Sequence, residues 1–147
     1  MIADVSTILE CSATKAWDEV QKSSRLRHVI WPLVRFVPCG APFPERWSER
    51  LTIQCKLFVL GVIPMGVHTV HLEKIDQTNY EIHSREHDPL IARWNHLISI
   101  KPLDDSRSIY RDTIDIDAGI LTFVVWTWAN WFYHHRQRRW RALAKTL

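Results

Sequence analysis

Between Asp4 and Glu10 apolar and polar positions alternate, with Val5, Thr7 and Leu9 opposed to Ser6, Ile8 and Glu10. Strand side chains point to opposite faces in turn, so this pattern predicts a first, half-buried strand. Ser12 then offers a hydroxyl cap for a helix over Ala13 to Val20. Ser23 or Ser24 starts a second short helix through Leu26, Val29 and Ile30, which Pro32 should end or kink. From Phe36 to Arg46 the period is lost among Pro38, Gly40, Pro42 and Pro44, and the stretch reads as an irregular loop of the sort that often rims a site.

A run of period-two segments follows: Trp47 to Val59, Met65 to Ile75, Asn79 to Glu86, Ala92 to Pro102 and Arg107 to Asp117. The connections between them are short and carry Gly61-Val62-Ile63-Pro64, Asp76-Gln77-Thr78, Asp88-Pro89-Leu90 and Asp104-Asp105-Ser106, which makes the run an antiparallel meander. After Gly119 a helical period runs from about Ile120 to the end. The predicted architecture is α+β, one domain over residues 1–147: a bent antiparallel sheet wrapped around a long C-terminal helix, with two short helices after the first strand.

Tryptophan, at 8 residues, outnumbers phenylalanine at 5 and tyrosine at 3, so something large and apolar is lined or covered. The net charge of +3 is too mild to imply a nucleic-acid partner, and the basic residues gather in one cluster, His134-His135-Arg136-Gln137-Arg138-Arg139-Trp140-Arg141. Cys11, Cys39 and Cys55 are odd in number and widely spaced, which argues against a disulfide framework or a zinc knuckle and fits a reducing cytoplasm. No secretory signal opens the chain, and the apolar run from Ala118 to Phe132 is shorter than the ~20 residues of a spanning helix. No metal or cofactor motif is present: there is no phosphate-cradling glycine loop, no Gly-x-Ser-x-Gly elbow and no His-Glu-x-x-His.

Alternation also assigns faces. His68 falls with Val70 and Leu72, Glu86 with Ile82 and Ser84, His96 with Trp94, Ile98 and Ile100, and Asp112 with Tyr110, Ile114 and Ile116. Tight turns would set His68 opposite Glu86, His96 opposite Ser84, and His96 opposite Asp112. The expectation is a polar row, His68, Glu86, His96 and Asp112, crossing an otherwise apolar interior. Such a row can satisfy itself within the core, orient the polar end of a ligand, or move protons as His-carboxylate pairs. Cys55, opposite His68, reads as core rather than as a nucleophile.

On the final helix, Thr122, Trp126, Ala129, Tyr133, Trp140, Leu143, Ala144 and Leu147 project to one side, predicted to close the cavity, with Trp126 and Tyr133 as ligand contacts. Leu121, Val124, Val125, Trp128, Trp131 and Phe132 project to the other side. That apolar patch wants a cover: the short helices or the proline-rich loop, a second copy in a homodimer, or a membrane surface touched through Trp128, Trp131 and Phe132.

The order of elements resembles the helix-grip superfamily, often called SRPBCC, which includes START lipid-transfer domains, pollen-allergen-type carriers and polyketide cyclase/dehydrase-like proteins. Pro42-Phe43-Pro44-Glu45-Arg46-Trp47, Ser84-Arg85-Glu86-His87, Arg111-Asp112-Thr113-Ile114-Asp115-Ile116-Asp117-Ala118-Gly119 and the His-Arg-Gln-Arg-Arg-Trp of the last helix look like bacterial members of it. The resemblance implies a cavity for a small hydrophobic or amphipathic molecule, walled by Trp94, Tyr110 and Trp126, with Tyr133 beside them and the polar row as orienting groups. It equally admits an aromatase/cyclase-like enzyme using His96 with Asp112 or His68 with Glu86, or an interaction module working through the outer helix face.

Overall fold

The computed structural model describes residues 1–147. Strand β1 (Ile2–Leu9) leads into helices α1 (Ala13–Val20) and α2 (Ser23–Ile30). Strands β2 (Val34–Pro38), β3 (Thr52–Val59), β4 (Ile63–Asp76), β5 (Glu81–His87), β6 (Arg93–Pro102) and β7 (Ser108–Asp117) follow. A 3-10 turn at Gly119–Leu121 then hands over to the long helix α3 (Thr122–Ala144). The strands form one antiparallel sheet in the order β1-β7-β6-β5-β4-β3-β2, so the meander is continuous and β1 joins its far edge beside β7.

One strand departs from the sequence expectation. Val34–Pro38 lies where an irregular loop was expected to begin, pairing Val34 with Val59 and Pro38 with Cys55, and β3 begins at Thr52 rather than Trp47. Proline hides the strand pattern but does no harm here, because β2 is a sheet edge and its outer N–H groups have no ladder partner to lose. The irregular stretch is confined to the residues after it.

Ser12 caps α1 as its position predicts, its Oγ accepting from the Lys15 N–H at 3.2 Å. Replacing Ser12 with alanine should lower stability by about 1 kcal/mol, read as a shift in the urea midpoint at unchanged slope. An unshifted midpoint would mean that the cap contributes nothing. At the other end of the chain, Gly119 has φ +60, a left-handed turn that suits glycine, and its N–H donates to Asp117 Oδ1 at 2.9 Å as the chain leaves the sheet.

The inward face of the sheet carries Ala3 and Val5 from β1, Ile114 and Ile116 from β7, and Ile98 and Ile100 from β6. Ala129, Trp140 and Ala144 of α3 are buried in the same core. The helices α2 and α3 pack together, and Arg139 Nε and His135 Nε2 lie 2.8 Å and 3.0 Å from the carbonyls of His28 and Trp31 at the end of α2. No helix is long and apolar enough to cross a membrane.

Candidate ligand cavity

Between the concave sheet and the two helices lies a cavity of about 140 Å³, and 19 of its 25 lining residues are hydrophobic. Its apolar lining comes from β2 and β3 (Phe36, Ile53), from β4 to β6 (Leu72, Ile82, Ile98), and from α2 and α3 (Ile30, Trp128, Phe132). Every ionisable group on its wall, His68, Glu86, Asp88, His96 and Arg136, comes from β4, β5 with the turn after it, β6, or one turn of α3.

These groups form a connected row. His68 is clamped between carboxylates, with Nδ1 3.0 Å from Asp88 Oδ2 and Nε2 2.8 Å from Glu86 Oε2, and its ring stacks on Phe36. Glu86 Oε1 accepts from Ser84 Oγ at 2.7 Å and stands 3.9 Å from His96 Nδ1, too far for a hydrogen bond. His96 Nε2 is 2.8 Å from Asp112 Oδ1. Asp112, 0% exposed, also accepts from Tyr110 Oη at 3.1 Å and from Gln137 Nε2 at 3.0 Å.

Burial opposes charge on His68, Glu86, Asp88 and Asp112, but their partners outweigh it. The His68 imidazole is pushed up to about 9 by Asp88 and Glu86 in spite of desolvation. Desolvation is likewise overcome at Glu86 by His68, and at Asp112 by Arg136 and His96, so both carboxyls are held below their ordinary range. Because Asp112 is a carboxylate, the His96 Nε2 facing it carries the proton, and Nδ1 is left on the side of Glu86 without a hydrogen bond. Cys55 is pushed up to about 12, chiefly by burial, and is therefore a thiol rather than a nucleophile.

The polar row forms with a register two residues away from the simplest pairing. Glu86 pairs with Val70 rather than His68, and Asp112 with Ile98 rather than His96, while His96 does face Ser84. A shift of two preserves the face, so the side chains still meet diagonally.

Of the residues expected at the ligand, His68, Glu86, Trp94, His96 and Tyr133 lie on the cavity wall. Tyr110 and Asp112 do not: both are buried behind it under α3, where Tyr110 packs on Trp140. Trp126 is also off the wall, its indole N–H donating to the Ile2 carbonyl at 2.7 Å beside β1.

The expected outer patch is corrected in the same way. Phe132 is only 6% exposed and Trp128 is half-buried, both facing the cavity, whereas Trp131 is 53% exposed. The first half of α3 is apolar almost all round, so its sequence carries no period to mark the buried face.

Arg136 and Asp88 escaped the sequence reading. Arg136 belongs to the basic cluster of α3, yet it is only 5% exposed and lines the cavity. Its spacing from Ala129, Phe132, Tyr133 and Trp140, three or four residues at a step, was the available signal. Asp88 belongs to a turn whose Leu90 and Ile91 N–H groups its Oδ1 accepts, which leaves Oδ2 for His68.

A sheet gripping a C-terminal helix over a cavity is the START-like helix-grip fold, and solved structures agree. A START superfamily protein from Mycobacterium smegmatis superposes with a TM-score of 0.73 at 12% identity, covering 99% of this chain and 97% of that one. The Zhui aromatase/cyclase from Streptomyces gives 0.72 at 11% identity over 99% and 93% of the two chains. Norcoclaurine synthase from Thalictrum flavum, solved with dopamine and hydroxybenzaldehyde, gives 0.73 at 8% identity over 99% and 87%. At these identities the likeness is one of fold. Residues 7–144 match the family described as a domain of unknown function, DUF8410, and the chain belongs to that family. Curated proteins give no match to the sequence.

Proposed function

We propose that this protein binds a small hydrophobic or amphipathic molecule inside the cavity. The observation that carries the reading is the asymmetry of the wall: an apolar majority, with the ionisable side chains gathered along β4, β5, β6 and one turn of α3. Apolar area supplies affinity, while a few grouped polar groups fix orientation. A volume of about 140 Å³ is close to that of an engineered apolar cavity of ~150 Å³ that takes up benzene, which points to a compact, ring-sized ligand.

Native mass spectrometry of gently purified protein tests this, with intact mass compared before and after denaturation. A bound small molecule of defined mass, released on unfolding, is the expected result. Narrowing the cavity with Ile98→Trp should abolish its capture. Protein that stays free of ligand both as purified and after incubation with single-ring aromatics would refute the reading.

A second reading, proton transfer on the bound molecule in an aromatase/cyclase-like reaction, draws on His96. Its Nε2 is held by Asp112 at 2.8 Å while Nδ1 makes no hydrogen bond within the protein, the arrangement of an oriented general base. Recovery of the captured molecule chemically changed by the wild type but unchanged by His96→Ala would favour it. Recovery unchanged from both would leave binding alone.

A further inference from the structure

Arg136 leaves most of its hydrogen-bonding capacity in this cavity unused. Its side chain is 6% exposed. Of the guanidinium nitrogens Nη2 alone is engaged, donating to Tyr110 Oη at 3.0 Å, and Nε has no partner. The nearest carboxylate oxygen, Asp112 Oδ1, is 4.0 Å away and already accepts from His96 and Tyr110. A buried cation with idle N–H groups is costly unless something completes it.

Tyr133 is its neighbour in the same condition. The guanidinium carbon lies 5.6 Å from the Tyr133 ring centre, and the His96 ring lies 5.1 Å from it on an edge-on approach. Tyr133 Oη accepts from the Trp94 indole N–H at 3.3 Å, but its own hydroxyl proton meets no acceptor within the protein. Arg136, Tyr133, Trp94 and His96 all line the cavity. Arg136 and Tyr133 leave donors idle in this corner, and it faces the space where a ligand would sit.

Charge decides what kind of acceptor fits. The row contains three carboxylates, Glu86, Asp88 and Asp112, against one arginine and two histidines, Arg136, His68 and His96. Even with both imidazoles protonated these charges only cancel, so no surplus cation remains to balance a fully ionised ligand in a buried site. A neutral oxygen takes the idle donors without adding charge. Resting on the reading of the cavity as a small-molecule site, we propose that its ligand is a compact, predominantly apolar molecule bearing a neutral carbonyl oxygen, which accepts from Arg136 and Tyr133.

Three probes with the same ring separate the alternatives: ethylbenzene, acetophenone and benzoate, titrated by ligand-observed NMR against the intact chain. Acetophenone should bind roughly tenfold more tightly than ethylbenzene, the worth of a hydrogen bond from a charged donor, and more tightly than benzoate. Arg136→Met should bring acetophenone down to the level of ethylbenzene while ethylbenzene changes by less than about twofold. If that variant does not fold, Tyr133→Phe, which removes one hydroxyl at constant shape, should narrow the same preference.

Equal binding of acetophenone and ethylbenzene would overturn the carbonyl assignment and leave the cavity reading intact. Tightest binding of benzoate would overturn it in favour of an anion site. Failure of all three probes to bind would count against the cavity reading itself, and the assignment would fall with it.

Discussion

Replacing Asp112 with alanine is expected to destabilise the protein by about 3–5 kcal/mol, the cost of removing one partner from a buried ionic network. The carboxylate is 0% exposed and accepts from His96, Tyr110 and Gln137, with the Arg136 guanidinium 4.0 Å away. Its loss leaves the His96 and Tyr110 protons and one Gln137 amide proton without their acceptor, and the Arg136 cation without its nearest countercharge, in a place that water does not reach. For a chain of this length the effect is a fall in Tm of roughly 10 °C, measurable by calorimetry. Asp112→Asn keeps the shape and one acceptor oxygen but turns an amide N–H₂ toward existing donors, so it should fall between the wild type and alanine. A loss of less than about 1 kcal/mol for the alanine variant would mean that water enters and satisfies the group.

The second large effect is on the pH dependence of stability. His68 is raised from its ordinary 6.5 to about 9 in the folded protein, burial being outweighed by Asp88 and Glu86. Folding therefore favours its protonated form. The resulting stabilisation is fully present below about pH 6.5, declines as the pH rises, and is lost above about 9. A shift of this size corresponds to something on the order of 3 kcal/mol.

Glu86 and Asp88 work on the opposite side: their folded values lie below the ordinary 4.5 and 3.8, so their contribution holds above those values and is lost as the pH falls through the lowered ones. Urea midpoints for the wild type and His68→Gln, measured from about pH 6 to pH 10, isolate the His68 contribution, because every other titrating group is common to both proteins. The wild type should lose stability with rising pH more steeply than the variant. Parallel curves would show that His68 titrates near its ordinary value and that its carboxylate clamp is not coupled to folding.

Legibility in the sequence varied from element to element for physical reasons. The strands β4 to β7 and the helices α1 and α2 announce themselves because one face of each is buried, which imposes a period, and because Ser12 and Pro32 punctuate them. Strand β2 did not, since Pro38 and the glycine and prolines after it signal irregular chain, whereas a sheet edge tolerates a proline. The polar row was legible because parity survives an error of two in register, which is why His68, Glu86 and His96 stand on the cavity wall although their partners across the sheet differ from the simplest pairing.

Helix α3 was read less well at both ends. Its first half is apolar on every side, which placed Trp126 on the wall and Trp128 and Phe132 off it. Its second half is crowded with basic residues that go to different places. Arg136 enters the cavity, Arg139 and His135 meet the end of α2, and Arg141 donates to Thr7 Oγ1 at 2.8 Å. Local composition could not separate these, because what distinguishes them is the element each one meets after folding.

Strand β4 pairs Leu72 with Ser84 but Lys74 with His83, so Glu73 is an extra residue in the ladder. Ile75 lies on the buried face beyond it, and Leu72, Val70 and His68 face the cavity before it. Counting back from Ile75 by strict alternation would instead turn Glu73, His71 and Thr69 inward. The inner surface of the sheet thus has a reading frame, and Glu73 shifts it between the two halves of β4. Losing or gaining one residue in β4 would rewrite the cavity wall while leaving its chemical alphabet unchanged.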